Sequence, residues 1–484
     1  MPILFQAQFR YAHFYLGKLR SLDELYQKGG HFIIDALDLF EMEWENIRAG
    51  HQWVIANIKQ NSQLVQFCCD FALNGSHILT LRQHPLEHIQ WLEVALASIQ
   101  TKKYQKQKSQ LFGNLGVAYK NIGKVNKAIE YHKKSISISR KLFDRRAEGQ
   151  TLGNLGNAYA VLGDSKKAIP LYNKYLNIAC EFNDRKDQGI VLGNLGIAYY
   201  NLGHFRKSIK YHEQALDISR ELGDHRAEQQ DLSNLGIVHL ALGEIQQSIH
   251  FFEQSLVMSR KIGNRSGAAT ALGNLGIAYA TLGKNKKAIE YYQQYLILAR
   301  EISDRQGEGN ALGNLGIVYA ALGDYQTAIR YYEQSLAISR EIGDRQGEVQ
   351  DLGNLGSAYY ALGDNIKAIK FHTQALAISR KIGDKRSEGQ DLNNLGSAYH
   401  ALGKIDQAII FFDQYRSICK GIGDRAGEGY ALWNLGIAHA NLENFKLAVN
   451  FYKAALNIFK DIKDPNAEKV KEQLDLWLQS SSIK

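Results

Sequence analysis

Apolar side chains recur along residues 111–470 with a period of forty, and inside each period they fall into two helical stripes. With position 1 of each unit set at Leu111, Thr151, Val191 and onward, Leu, Leu, Tyr and Leu or Ile occupy positions 2, 5, 9 and 12, as in Leu192, Leu195, Tyr199 and Leu202. The spacing i, i+3, i+7, i+10 traces one face of an α-helix, helix A. A second stripe at positions 18, 19, 22, 26 and 28, for example Ala328, Ile329, Tyr332, Leu336 and Ile338, predicts helix B. Gly at position 13 in eight copies (Gly123 to Gly403), with Glu443 in the ninth, sits where a helix C-cap needs positive φ. Helix B runs to a Gly-Asp-Arg phrase such as Gly343-Asp344-Arg345, whose Asp, or Asn264 in one copy, is a good N-cap for the next helix A. Gly at position 6 and Ala or Ser at position 18 are small enough for the two helices to cross closely.

Nine such units follow one another without insertion or deletion. Asn-Leu-Gly starts at Asn114, Asn154, Asn194, Asn234, Asn274, Asn314, Asn354, Asn394 and Asn434. A fixed period of this length means a solenoid, in which each unit buries its apolar face only against its neighbours. The expected fold is all-α, a right-handed superhelical solenoid of helical hairpins. Its divisions are an N-terminal helical cap over 1–70, a degenerate repeat over 71–110 that keeps Asn74, Trp91, Ala95 and Leu96, nine repeats over 111–470, and the end of a C-terminal capping helix and tail over 471–484. Leu474, Leu476, Trp477 and Leu478 are the residues expected to cover the last hairpin.

Composition narrows the function classes. The chain is 45% hydrophobic and 22% charged, with only 4 Pro, which suits long uninterrupted helices. A net charge of +9 without a basic run interleaved with stacking aromatics argues against nucleic acid. No apolar stretch approaches the length of a membrane span, so no membrane insertion is expected. The sequence start lacks a signal peptide's charged and apolar regions, and Cys68, Cys69, Cys180 and Cys419 form neither a disulfide framework nor a zinc spacing. A reducing, cytoplasmic setting is the expectation. No nucleophile with a base, no phosphate loop and no metal cluster stands out, so no catalytic residue, metal or cofactor is assigned and the chain reads as a non-enzyme. The 15 His show no ligand spacing; His132, His212 and His372 occupy the aromatic slot of helix B.

Leu-Gly at positions 5 and 6, Tyr at 9, Ala at 18, an aromatic or His at 22 and a small residue at 25 resemble the tetratricopeptide repeat. The forty-residue form with Gly-Asp-Arg linkers looks like the repeats of the Pins/LGN spindle-orientation adaptors and, more loosely, of kinesin light chain. His239 and His439 in place of Tyr, Arg416 in place of an apolar residue, and Pro465 in place of the linker Arg depart from the pattern. Arg10-Tyr-Ala-His-Phe-Tyr-Leu16, Glu43-Trp-Glu-Asn-Ile-Arg-Ala49 and Trp53 resemble the segment that joins the nucleotide-binding module to the repeats in STAND-class NTPases, although the module itself is absent. An ordinary helical cap is the other reading of this segment.

The resemblance places positions 36, 40, 3, 4, 7, 10 and 11 on the concave face of the solenoid. The invariant Asn at position 4 offers a donor and an acceptor, enough to hold an extended peptide backbone of any sequence. A hydrogen bond to a neighbouring helix explains it equally well. Gly at position 3 (Gly113, Gly153, Gly193, Gly273, Gly313, Gly353) implies space for a ligand backbone or for a close helix. Ile197, Ile237, Ile277 and Ile317 at position 7, with Tyr200 and Tyr360 at position 10, form a candidate apolar floor. Arg146, Lys186 and Arg226 at position 36 are candidates for an acidic end of the ligand, or simply solvated first-turn residues. The recurrent Glu at position 38 reads as a dipole or inter-repeat partner. The expected partner is a protein or peptide; oligomeric state is not legible. The alternative function is a regulatory sensor acting with a separate STAND-type NTPase or effector through residues 1–110.

Overall fold

A computed structural model describes residues 2–28, 32–59, 61 and 63–481, and among them every regular element is helical. The chain forms two compact units, Met1–Glu244 and Ile245–Lys484. The first opens with long helices Pro2–Gln27 and Phe32–Asn57, then the shorter Gln63–Leu73, Ser76–Arg82 and Pro85–Ser98. These five bury a core rich in rings: Trp91 lies 5.7 Å from Trp44 and 3.7 Å from His51 between centroids. Burial without a partner charge lowers the His51 imidazole to a pKa of about 3, so the ring packs as a neutral group. Buried Asp23 fastens this cap. Its Oδ1 accepts the backbone N–H groups of His77 and Ile78, both at 3.0 Å, at the start of Ser76–Arg82. Asn74, which shares the Asn register of the repeats, lies in a turn between two helices and not within one.

Helices A and B then alternate, joined by turns of two or three residues. The first unit holds the pairs Gln105–Asn121 with Val125–Lys141, Arg145–Val161 with Ser165–Glu181, and Arg185–Asn201 with Phe205–Leu222, followed by His225–Ala241. The second unit starts with Ile245–Lys261 and continues through five pairs from Arg265 to Asp461, closed by Asn466–Ser481. The linker caps act as the sequence predicts: Asp344 Oδ1 accepts the Gly347 N–H at 2.9 Å and Asn264 Oδ1 that of Gly267 at 2.9 Å. The turn after helix B needs positive φ as much as the turn after helix A does. Yet Phe143, Asn183, Ser303 and Lys463 stand there without the freedom of glycine, Phe143 at φ 55.

Packing explains the small residues. A Cβ on Gly316 would lie 2.5 Å from Cε1 of Tyr332, and one on Gly276 would lie 2.3 Å from Cε1 of Tyr292. Position 6 must therefore be Gly so that the ring at position 22 can fill the hairpin. Beside it, the ring at position 9 stacks on the one at position 21, as in Tyr199–Tyr211 (5.3 Å, 4°) and Tyr359–Phe371 (5.4 Å, 6°). His439 keeps this stack with Phe451 at 5.3 Å and 8°.

Charge ties consecutive hairpins. Buried Glu348 takes Arg340 from the preceding helix B at 2.8 Å and Arg345 from its own first turn at 2.6 Å. Glu148 does the same with Arg140 and Arg145, both at 2.7 Å, and Arg145 continues to Glu181 at 2.9 Å. Burial pushes the Glu348 carboxyl upward, but the two guanidiniums outweigh it and hold the group below its ordinary range. The tie between hairpins read for position 38 is present here, and Glu148 and Glu348 also stand in the first turn of their helices, where the dipole role applies. At the far end Leu474 and Val470 bury against Phe459, and Trp433 Nε1 donates to Gln473 at 2.8 Å. Leu476 and Leu478 are exposed, while the Trp477 side chain lies outside the described residues.

Candidate peptide-binding face

Positions 36, 40, 3, 4 and 7 come together on one face because helix A turns them to the same side, away from the stripe at positions 2, 5 and 9. Three cavities open on that face, each bounded by the asparagines of successive repeats. Asn114 and Asn154 flank the first, Asn194 and Asn234 the second, and Asn274, Asn314 and Asn354 the third, which holds about 480 Å³. All nine asparagines are half-buried, and the seven from Asn114 to Asn354 line these cavities. Among the described residues, only the amide of Asn434 bonds another side chain, donating to Asn393 Oδ1 at 2.9 Å. Asn274 Nδ2 is buried without a partner. The hydrogen bond to a neighbouring helix, offered above as the structural reason for this residue, is therefore absent in the other eight copies.

The remaining candidates divide. Ile197 lines the second cavity, and Ile277 and Ile317 line the third, all three with exposed side chains. Ile237 is half-buried, Tyr360 is exposed, and Tyr200 leans on Phe205 at 5.5 Å. Lys186 lines the second cavity; Arg146 lies over the Phe182 ring at 5.0 Å, and Arg226 is exposed. Gly at position 3 has two explanations in different copies. Gly153 and Gly273 make room for Tyr175 and Tyr295, whose ring atoms would stand 2.7 and 3.1 Å from a Cβ. At Gly113, Gly193, Gly313 and Gly353 an added Cβ would meet nothing nearer than 3.5 Å.

A family model described as the tetratricopeptide repeat matches residues 108–181, 187–261, 229–301, 267–341, 307–381, 349–421 and 391–461. The chain belongs to the tetratricopeptide-repeat family. No curated protein matches it. Among solved structures, it is similar to the STAND protein with a tetratricopeptide repeat sensor from Pyrococcus horikoshii, at 16% identity and a TM-score of 0.57, over 95% of this chain and 74% of that one. It is also similar to the apo form of the quorum sensor NprR from B. thuringiensis, at 14% identity and a TM-score of 0.50, over 71% and 99%. At these identities the likeness is one of fold.

The tetratricopeptide-repeat frame carries three residues that the sequence reading passed over. Position 1 is apolar or Thr in six copies but Asp in Asp231, Asp351 and Asp391, only 8%, 5% and 4% exposed. Burial pushes the Asp231 carboxyl up to about 7, against a hydrogen bond from Ser219, and that of Asp351 up to about 6, against bonds from Ser335 and Ser339. Asp391 is raised for the same reason, and its Oδ1 lies 3.2 Å from His372 Nδ1. The signal was present: a charge on a position otherwise kept small, next to the core stripe.

Proposed function

We propose that this chain is a non-enzymatic interaction scaffold that holds an extended peptide segment of a partner protein along the asparagine-lined face. One observation carries the reading: a row of half-buried amides, one per repeat, whose hydrogen-bonding capacity the protein itself leaves almost unused. Asn274 Nδ2 is buried without a partner; buried amides are ordinarily satisfied, and an extended backbone supplies the donors and acceptors that would satisfy this one and bond its half-buried neighbours. Flanking Ile197, Ile277 and Ile317 give the segment apolar contact, and each amide bond adds on the order of 1 kcal/mol net. Arg146, Lys186 and Arg226 add salt-sensitive steering in the first unit. The four unpaired cysteines support a cytoplasmic setting.

A second reading is a sensor that meets a separate STAND-type NTPase or effector through residues 1–110. It is favoured by Ile3, Leu4, Phe14, Ile34 and Met42, which expose large apolar side chains on the first two helices. The deciding experiment is hydrogen exchange on the chain with a partner recovered by affinity purification. Protection along the A helices, weakened by Asn314→Ala with Asn354→Ala, is the expected result. Protection confined to residues 1–110, with both substitutions silent, would transfer the function to the second reading.

A further inference from the structure

Volume at the bottom of the asparagine-lined face is traded between position 25 of one repeat and position 1 of the next. Where position 25 is Tyr (Tyr175, Tyr295, Tyr415), the following position 1 is Val191, Ala311 or Ala431. Where it is Ala215, Ser335 or Ala375, the following residue is Asp231, Asp351 or Asp391; Ser135 and Ser255 precede Thr151 and Ala271. A ring that would have closed the cavity is thus replaced by a small side chain and a carboxyl group. Gly at position 3 then places no side chain over that group. The only atoms within ordinary contact of a Cβ on Gly313 are Ser335 Oγ at 3.5 Å and Asp351 Oδ1 at 3.7 Å.

The third cavity shows what is missing. Its lining includes the carboxyl groups of Asp344 and Asp351 and no Lys, Arg or His. Asp344 is committed to the fold, since Oδ1 accepts from Gly347 N at 2.9 Å and Oδ2 from Gln306 Nε2 at 3.1 Å. Asp351 Oδ2 accepts the Ser339 hydroxyl at 2.8 Å, and among the described residues Asp351 has no ion pair. A carboxylate buried without a cation costs several kcal/mol, and Ala271, which like Asp351 follows a Ser at position 25, shows that the repeat does not require a carboxyl group there. Asn274 Nδ2, buried without a partner, lines the same cavity.

We propose that this cavity receives a basic side chain, Lys or Arg, of the bound segment, whose ammonium or guanidinium group pairs with Asp351. The inference rests on the peptide reading above and gives it a polarity: a basic residue seated in the second unit, flanked by apolar residues over Ile277 and Ile317. Asp231 lies likewise beneath Gly193 in the first unit, there with Lys186 in the same lining and His212 Nδ1 4.0 Å from its Oδ1.

The probe is a positional-scanning library of acetylated, amidated decapeptides, each pool fixing one residue at one position, passed over the immobilised full chain. The wild type is expected to retain Lys or Arg pools at one position about tenfold over Ala pools, the scale of a charge-assisted bond. Asp351→Asn should reduce that preference to below about threefold. Gly313→Ala should reduce it too, by placing a methyl over the carboxyl, while leaving helix content intact. Glu333→Gln, which removes the same charge from an exposed site, should keep it. Pools that bind without basic preference, or a preference that Asp351→Asn leaves unchanged, would overturn the inference and leave the peptide reading standing. If no pool binds the wild type, the peptide reading falls and the inference with it.

Discussion

Asp351→Asn should stabilise the second unit at neutral pH and do almost nothing in acid. The folded carboxyl titrates near 6 and the unfolded one near 3.8, so the folded state is the better proton binder between those values. Stability then falls as pH rises through that window, is lowest above it, and is recovered below it. At about 1.4 kcal/mol per pKa unit, the ionised side chain costs the native state about 3 kcal/mol at pH 7.5. Asn is nearly isosteric and keeps an oxygen for the Ser339 hydroxyl, so most of that cost should be removed. The groups that set the magnitude face Asp351 from both neighbouring elements: Ser335 and Ser339 from the preceding helix B, and the like charge of Asp344 at the start of its own helix. A solenoid need not unfold in one step, so the measurement is local: hydrogen-exchange protection of Arg345–Ala361 in wild type and variant at pH 7.5 and 4.5. The variant should gain protection equivalent to about 2–3 kcal/mol at pH 7.5 and well under half of that at pH 4.5. A gain independent of pH, or a loss at pH 7.5, would refute the argument that an unpaired buried charge stands at this position.

Phe143→Gly should raise the thermal midpoint of the first unit. Phe143 holds φ 55 while 88% exposed, so the substitution relieves about 1 kcal/mol of backbone strain and sacrifices no packing. Gly316→Ala, which helix propensity alone would favour, should instead destabilise its hairpin by about 1–3 kcal/mol, because the new Cβ meets the Tyr332 ring at 2.5 Å; urea denaturation checks the sign. Burial lowers the His132 imidazole to about 4, from an ordinary 6.5, so the stability it permits is complete above pH 6.5 and lost as pH falls toward 4. His132→Tyr, the residue present at the same position as Tyr172, should move the acid-unfolding midpoint followed by circular dichroism to lower pH; an unmoved midpoint would place acid sensitivity elsewhere, with His51, His88 or His212.

The sequence by itself determined the hairpin register, because period and caps are local: a stripe at positions 2, 5, 9 and 12 has one way to be buried, and Gly at position 13 and Asp at position 34 punctuate it within a few residues. It also named the face that lines the cavities, since helical phase alone separates position 4 from position 5. What it left open were questions of which atom meets which across repeats. Gly at position 3 looked like one feature, but Tyr175 and Tyr295 use the space in two copies, while Gly193, Gly313 and Gly353 stand over carboxyl groups 38 residues further along. Asn at position 4 admitted a ligand role and a packing role alike, and among the described residues only Asn434 bonds a side chain of a neighbouring helix. The three Asp at position 1 carried no assignment from sequence alone. Only tertiary structure, by burying Asp231 and Asp351 in the lining of cavities, with no cation paired to Asp351 among the described residues, made these two candidates for recognition, because desolvation and missing charge are properties of surroundings that sequence spacing does not encode.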